Sequence, residues 1–103
     1  MKTVIRPAAR QDILDQFLYL IDQGAPETSE RFFEAVEKTI FKLARQPKIG
    51  APKKLKSPRL QGLRRWPVDG FEVVGIYYLH TEETLRVVRV LHGKRDVDEI
   101  LAR

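Results

Sequence analysis

The sequence has no cysteine, so neither a disulfide nor a thiolate metal site is open to it, a usage that suits a reducing compartment. It has only two histidines, His80 and His92, expected near opposite ends of neighbouring strands, whereas a zinc site wants three or four converging ligands. No metal and no other cofactor is expected. The glycines are scattered: Gly62, Gly70, Gly75 and Gly93 stand alone as turn, bulge or strand-end residues, and no phosphate-cradling loop is written in the chain. Ser29 and Ser57 fall in a helix start and a loop with no paired base, which leaves nucleophilic catalysis without support. No apolar run is long enough for a membrane span, and MKTVIRPAARQD meets Arg and Asp too early for a signal peptide. The expectation is a cytoplasmic protein with no membrane partner.

Acids are missing altogether from one stretch. Residues 48–65 carry Lys48, Lys53, Lys54, Lys56, Arg59, Arg64 and Arg65 and no carboxylate, so a net charge of +5 for the chain leaves −2 for everything else. Residues 12–37 lean the other way, with seven acids against Arg31 alone. A chain so divided attracts an acidic surface or a phosphate backbone to one side and repels it from the other.

What is present is enough apolar residue for a core. At 43% hydrophobic over 103 residues, the chain is read as a single domain, 1–103, with no linker, repeat or low-complexity tract. KTVIR, β-branched and bounded by Pro7, reads as a strand. Ile13, Phe17 and Leu20 with Leu14, Leu18 and Ile21 recur at helical spacing, and Gly24 suits a left-handed cap. Pro26 opens a second helix with a stripe of Phe32, Val36, Ile40 and Leu43, and Pro47 ends it; the short connection makes the two an antiparallel hairpin. Residues 48–63 show no period. Then the period becomes two: LRRWPV, a turn at Asp69-Gly70 expected to be type I′, FEVVGIYYLH, a TEET turn and LRVVRVLH. Apolar residues on both faces of 71–80 place that strand inside the sheet, and Pro67 pushes its neighbour toward an edge. DVDEILAR closes as a short helix capped near Asp96 or Asp98. The fold class is α+β: a short N-terminal strand, a helical hairpin, a three-stranded antiparallel meander and a short C-terminal helix.

ARQDILDQFLYLI, LARQPKIG, GLRRWPVDGFEVVGIYYL and RVVRVLHGKRD, in that order, resemble the RelE/ParE superfamily of bacterial toxins, and its ParE branch in particular, over nearly the whole chain. The resemblance implies the toxin of a type II toxin–antitoxin system, of the plasmid-stabilisation kind, neutralised by a small ParD-like antitoxin. ParE-like members poison DNA gyrase; RelE-like members cut mRNA in the ribosome. Nuclease work needs cations on the scissile phosphate and a group that moves a proton. Where the RelE pattern has Gly-aromatic-Arg, this sequence has Gly70-Phe71-Glu72, and the tyrosine of that pattern falls near Ile100 or Leu101. No complete nuclease set is present, so no catalytic residue is assigned and binding to gyrase is expected. The alternatives are a ribosome-dependent endonuclease and a non-toxic relative that works only inside an antitoxin repressor complex.

Site expectations follow from charge and from uncovered apolar surface. The target should meet Arg64, Arg65, Lys53, Lys54 and Lys56, with Arg95 as a secondary contact. The antitoxin, through which alone the protein would meet DNA, should lay an amphipathic, acidic segment along the hairpin and sheet edge, touching Phe17, Leu20, Tyr78 and Arg89. His92 is expected to be a hydrogen-bonded strand-end residue, and Arg95 and Asp96 to pair with neighbours and fix the tail.

Overall fold

Two prolines open the two long helices. Pro7 and Pro26 each occupy a first turn, where a missing N–H removes nothing from the ladder. A computed structural model describes residues 1–103 and runs α1 over Pro7–Asp22 and α2 over Pro26–Arg45. Gly24 turns the chain between them at φ +76°, a left-handed conformation that a side chain would strain. The stripe of α2 is buried as its spacing demands: Phe32, Val36, Ile40 and Leu43 all lie inside. None of the helices is long and apolar enough to cross a membrane.

The strands are β1 (Lys2–Ile5), β2 (Ala51–Pro52), β3 (Arg64–Val68), β4 (Phe71–His80) and β5 (Thr84–His92). They form one five-stranded sheet in the order β1-β5-β4-β3-β2. The long strand β4 is central, as apolar residues on both its faces require. The meander β3-β4-β5 is antiparallel, and β1 adds parallel to β5. Both β1 and β2 enlarge the three-stranded sheet expected from periodicity. Two residues, Ala51 and Pro52, carry no period at all, so β2 is invisible until it pairs with Arg64 and Arg65. The Asp69-Gly70 turn also differs from expectation. Only Gly70 has positive φ, +81°, and no non-glycine residue does, so Asp69 does not adopt the left-handed geometry that a type I′ turn needs.

The sheet buries both faces. On one, α1 and α2 pack Phe32, Val36, Ile40 and Leu43 over Val74, Ile76, Tyr78, Leu85, Val87 and Val90. On the other, a short 3-10 turn (Pro58–Leu60) and α3 (Val97–Ala102) bring Leu60, Leu63, Ile100 and Leu101 onto Tyr77, Val88 and Leu91. The second face is therefore not the open groove that two helices alone would leave. Burying Leu60 and Leu63 contributes roughly 1.5–3 kcal/mol each, which holds the cationic loop against the sheet.

Where β1 stops, α1 takes over the edge of β5. Asp12 Oδ2 accepts the Val90 N–H at 2.9 Å, and Gln16 Nε2 donates to the Val90 carbonyl at 3.0 Å. The same carboxylate accepts two bonds from Arg89, Nε to Oδ2 and Nη2 to Oδ1, at 2.7 Å each. One helical turn, from Asp12 to Gln16, thus replaces two ladder bonds that would otherwise lie unmade in a dry interior.

Candidate functional site

The cationic segment is fastened at both ends. At its start, the Tyr78 hydroxyl donates to the Pro47 carbonyl at 2.7 Å and accepts the Gly50 N–H at 2.9 Å, while Arg64 Nη1 donates to the Gly50 carbonyl at 2.7 Å and the Lys48 carbonyl at 3.2 Å. Only glycine fits at position 50, since an added Cβ would collide with the Tyr78 hydroxyl. Burial raises the Tyr78 phenol above its ordinary pKa, offset in part by the hydrogen bond from Gly50 and the charge of Arg64. At the far end, Arg65 lies across Gly75 with its guanidinium 6.0 Å from the Tyr77 ring centre.

The expected target-binding cations therefore separate. Arg64 and Arg65 are half-buried and hold the loop and hairpin together. Lys53 makes a 2.6 Å ion pair with Asp98, which docks the loop beside α3. Lys54, Lys56 and Arg95 are the outward members, exposed and free of ion pairs. The loop encloses an open cavity of about 530 Å³ along residues 52–63, lined by Lys53, Lys54 and Lys56. Arg95 makes no ion pair, against expectation; Asp96 caps α3 by accepting the Glu99 N–H at 3.3 Å, and the Lys53–Asp98 pair and the bond from Arg59 to Arg103 also hold the tail. His92 is hydrogen-bonded at its strand end, its Nδ1 accepting the Lys94 N–H at 3.1 Å.

On the opposite side, the hairpin leaves apolar surface uncovered. Leu14 and Phe33 are nearly half exposed and border a cavity of about 370 Å³ with Phe17, whose ring meets Phe33 edge to face at 6.3 Å. Through Ile5, Glu37 and Ile40 this cavity continues into a trough of about 390 Å³ beside β1, walled by Phe41, which is 65% exposed. The free edge of β1 lies along that trough. Lys2 donates its N–H to the Glu83 carbonyl just ahead of β5 and Arg6 donates to Val87 within it, so the alternate residues Thr3 and Ile5 aim theirs away from the sheet.

Phe17 lies in this groove and Leu20 is half-buried against the core. Tyr78 and Arg89 do not join them. Tyr78 is fully buried, so it offers nothing to a partner; Arg89 is committed to Asp12, which raises the guanidinium pKa further through their hydrogen bonds. Asp12 itself escaped sequence reasoning, although Ala9, Asp12, Ile13 and Gln16 sit at the three- and four-residue spacing of a buried face. The positions that distinguish the nuclease pattern are plain. Glu72 is exposed at the hairpin, accepting the Gly70 N–H, and Ile100 is packed in the second core.

A family model described as "ParE toxin of type II toxin-antitoxin system, parDE" matches residues 4–97. Among solved structures, the chain is similar to one from the chromosomal ParDE TA system of P. aeruginosa, with a TM-score of 0.72 and 13% identity, covering 89% of this chain and 95% of that one. At that identity the likeness is one of fold. No curated protein matches.

Proposed function

The chain belongs to the ParE toxin family, and we propose that it is the toxin of a type II pair, inhibiting DNA gyrase by binding and held in check by a ParD-like antitoxin. The observation that carries a non-catalytic mode of action is the surround of the loop cations. Lys54 and Lys56 stand free at the loop cavity and Arg95 in the turn after β5, but the position from which a proton would be moved falls at Ile100 or Leu101, both inside an apolar core, and the hairpin position suited to a phosphate-binding cation is the carboxylate Glu72. Such a face can hold an acidic protein surface by charge, can transfer no proton from Ile100 or Leu101, and sets at Glu72 a charge that repels a phosphate instead of holding it.

The antitoxin is proposed to use the other side. An amphipathic, acidic segment would set apolar residues into the groove of Leu14, Phe17 and Phe33, continue along the trough beside Phe41, and meet the outward N–H and C=O groups of Thr3 and Ile5. Its carboxylates would have to lie at Arg10 and Arg45, one in each cavity, and clear of Glu37, which lines both and repels them, so the apolar contacts carry the docking. Contact with DNA would come only through that complex.

Purified protein added to a gyrase supercoiling reaction and to a translating ribosome extract tests the target. Loss of supercoiling with translation unimpaired is expected, and His92→Ala should inhibit as well as the parent chain, since removing a true general acid or base costs about 100-fold or more. Blocked translation with intact supercoiling would instead make the protein a ribosome-dependent nuclease. Inactivity in both would leave it a partner in a repressor complex.

A further inference from the structure

Residues 11–30 hold five acids and no cation, and only one of the five is answered. Asp12 is taken by Arg89, whereas Asp15, Asp22, Glu27 and Glu30 are exposed and make no ion pair. Glu27 lies in the first turn of α2, where the helix dipole favours it. Asp22 ends α1, where the dipole opposes it, and no cation stands in that last turn. Helical spacing sets Asp15 and Asp22 beside the row of Leu14, Leu18 and Ile21, with Tyr19 one turn beyond Asp15 on their other flank. All four of these apolar residues are exposed, Tyr19 by 62%. The outward face of α1 thus combines apolar surface with unanswered negative charge, where a solvated helix face would be polar with both signs of charge. Only Leu14 belongs to the groove proposed for the antitoxin.

We propose that this face of α1 docks on the cationic loop of a second copy of the chain, head to tail. The loop is its complement. Residues 52–63 carry no acid, and Lys54 and Lys56, exposed and without ion pairs, line the open cavity of about 530 Å³ together with Pro52, Leu55 and Pro58. A space of that size admits an aromatic ring such as that of Tyr19, with the lysines beside it for Asp15 and Asp22. Charge decides the pairing. Hairpin on hairpin would oppose acid with acid and loop on loop cation with cation, so only the mixed contact gains. The hairpin covers one face of the sheet and the loop the other, so a molecule cannot close the contact on itself and can make one at each side. Such a contact is heterologous and continues into short chains. One face of a 16-residue helix buries less than the ~800 Å² per partner of a stable complex, so the association is weak and reversible. It covers Lys54 and Lys56 but does not depend on gyrase being the target.

Sedimentation of the full chain over a range of concentrations, at low and high salt, tests this. At low salt the average mass is expected to rise with concentration without levelling at a dimer, and at high salt to fall back toward the monomer. Asp15→Lys with Asp22→Lys, and separately Lys54→Gln with Lys56→Gln, should each weaken association by about tenfold or more, with circular dichroism as the folding control. Mixing the two variants restores one intact contact, the loop of the first on α1 of the second. The mixture should therefore form a 1:1 dimer and stop there. A chain monomeric at both salt concentrations, association that survives both double substitutions, or a mixture no more associated than its parts would overturn the proposal. So would a monomeric chain whose α1 NMR signals shift with an amphipathic leucine–lysine peptide, which would give the face to a basic segment of another protein.

Discussion

Tyr78 shows what one residue does for the approach to the cationic loop. Its hydroxyl satisfies Pro47 and Gly50 from inside the core, which explains why LARQPKIG and the tyrosine of FEVVGIYYL belong together. Replacement by Phe leaves a buried N–H and a carbonyl without partners and should cost about 1–3 kcal/mol, read by urea unfolding. Because the folded phenol has a raised pKa, the contribution of its protonated form is intact below about 10 and is lost as pH climbs through the folded value. Tyr78→Phe should flatten that alkaline limb; an unchanged limb would mean that other groups produce it. Asp12 is the second such residue. Asp12→Ala leaves Arg89 uncompensated and the Val90 N–H open, with an expected loss of about 3–5 kcal/mol, and Asp12→Asn should lose less; a near-neutral Asp12→Ala would show that the pair breaks even. Neither role was legible in the chain. A lone Asp on a helix and a tyrosine among strand aromatics reveal nothing of their partners 78 and 31 residues away.

At the scale of elements, periodicity was informative wherever an element buries one face. The stripe of α2 and the double-faced β4 lie as their spacing says they should. α1 is the instructive exception. Its apolar residues run round most of the helix, and the protein buries Ala9 and Ile13 but leaves Leu14, Leu18, Tyr19 and Ile21 exposed. Apolar spacing beyond what the core uses leaves a face of the helix uncovered, and Phe17 lines the groove beside it. The sheet neighbours of β1 and β2 were not legible, because parallel pairing and a two-residue strand depend on contacts far along the chain. If the groove receives the antitoxin, Leu14→Lys with Phe33→Lys should weaken that complex by tenfold or more in calorimetry. Both positions are nearly half exposed, so the free protein's stability should change by no more than about 1 kcal/mol. Undiminished affinity would move the antitoxin off the hairpin.

The whole molecule is organised around its charge division. The cationic loop and α3 close one face of the sheet, and the hairpin, which carries the acidic stretch 12–37, closes the other. Local excess of charge was readable from composition, but which cations are free to meet a partner was not. Packing decides that: Arg64 and Arg65 are consumed by carbonyls, Gly75 and Tyr77, so reversing them would test the fold before the function. Lys54, Lys56 and Arg95 remain. The most direct measurement is inhibition of gyrase supercoiling by the folded Lys54→Glu, Lys56→Glu, Arg95→Glu protein at low and high salt, with circular dichroism as the control. Steering by this face predicts inhibition weakened about tenfold or more at low salt, with the gap to the parent chain narrowing as salt screens it. Full inhibition by the triple variant at both salt concentrations would contradict the account and place the gyrase contact elsewhere on the protein.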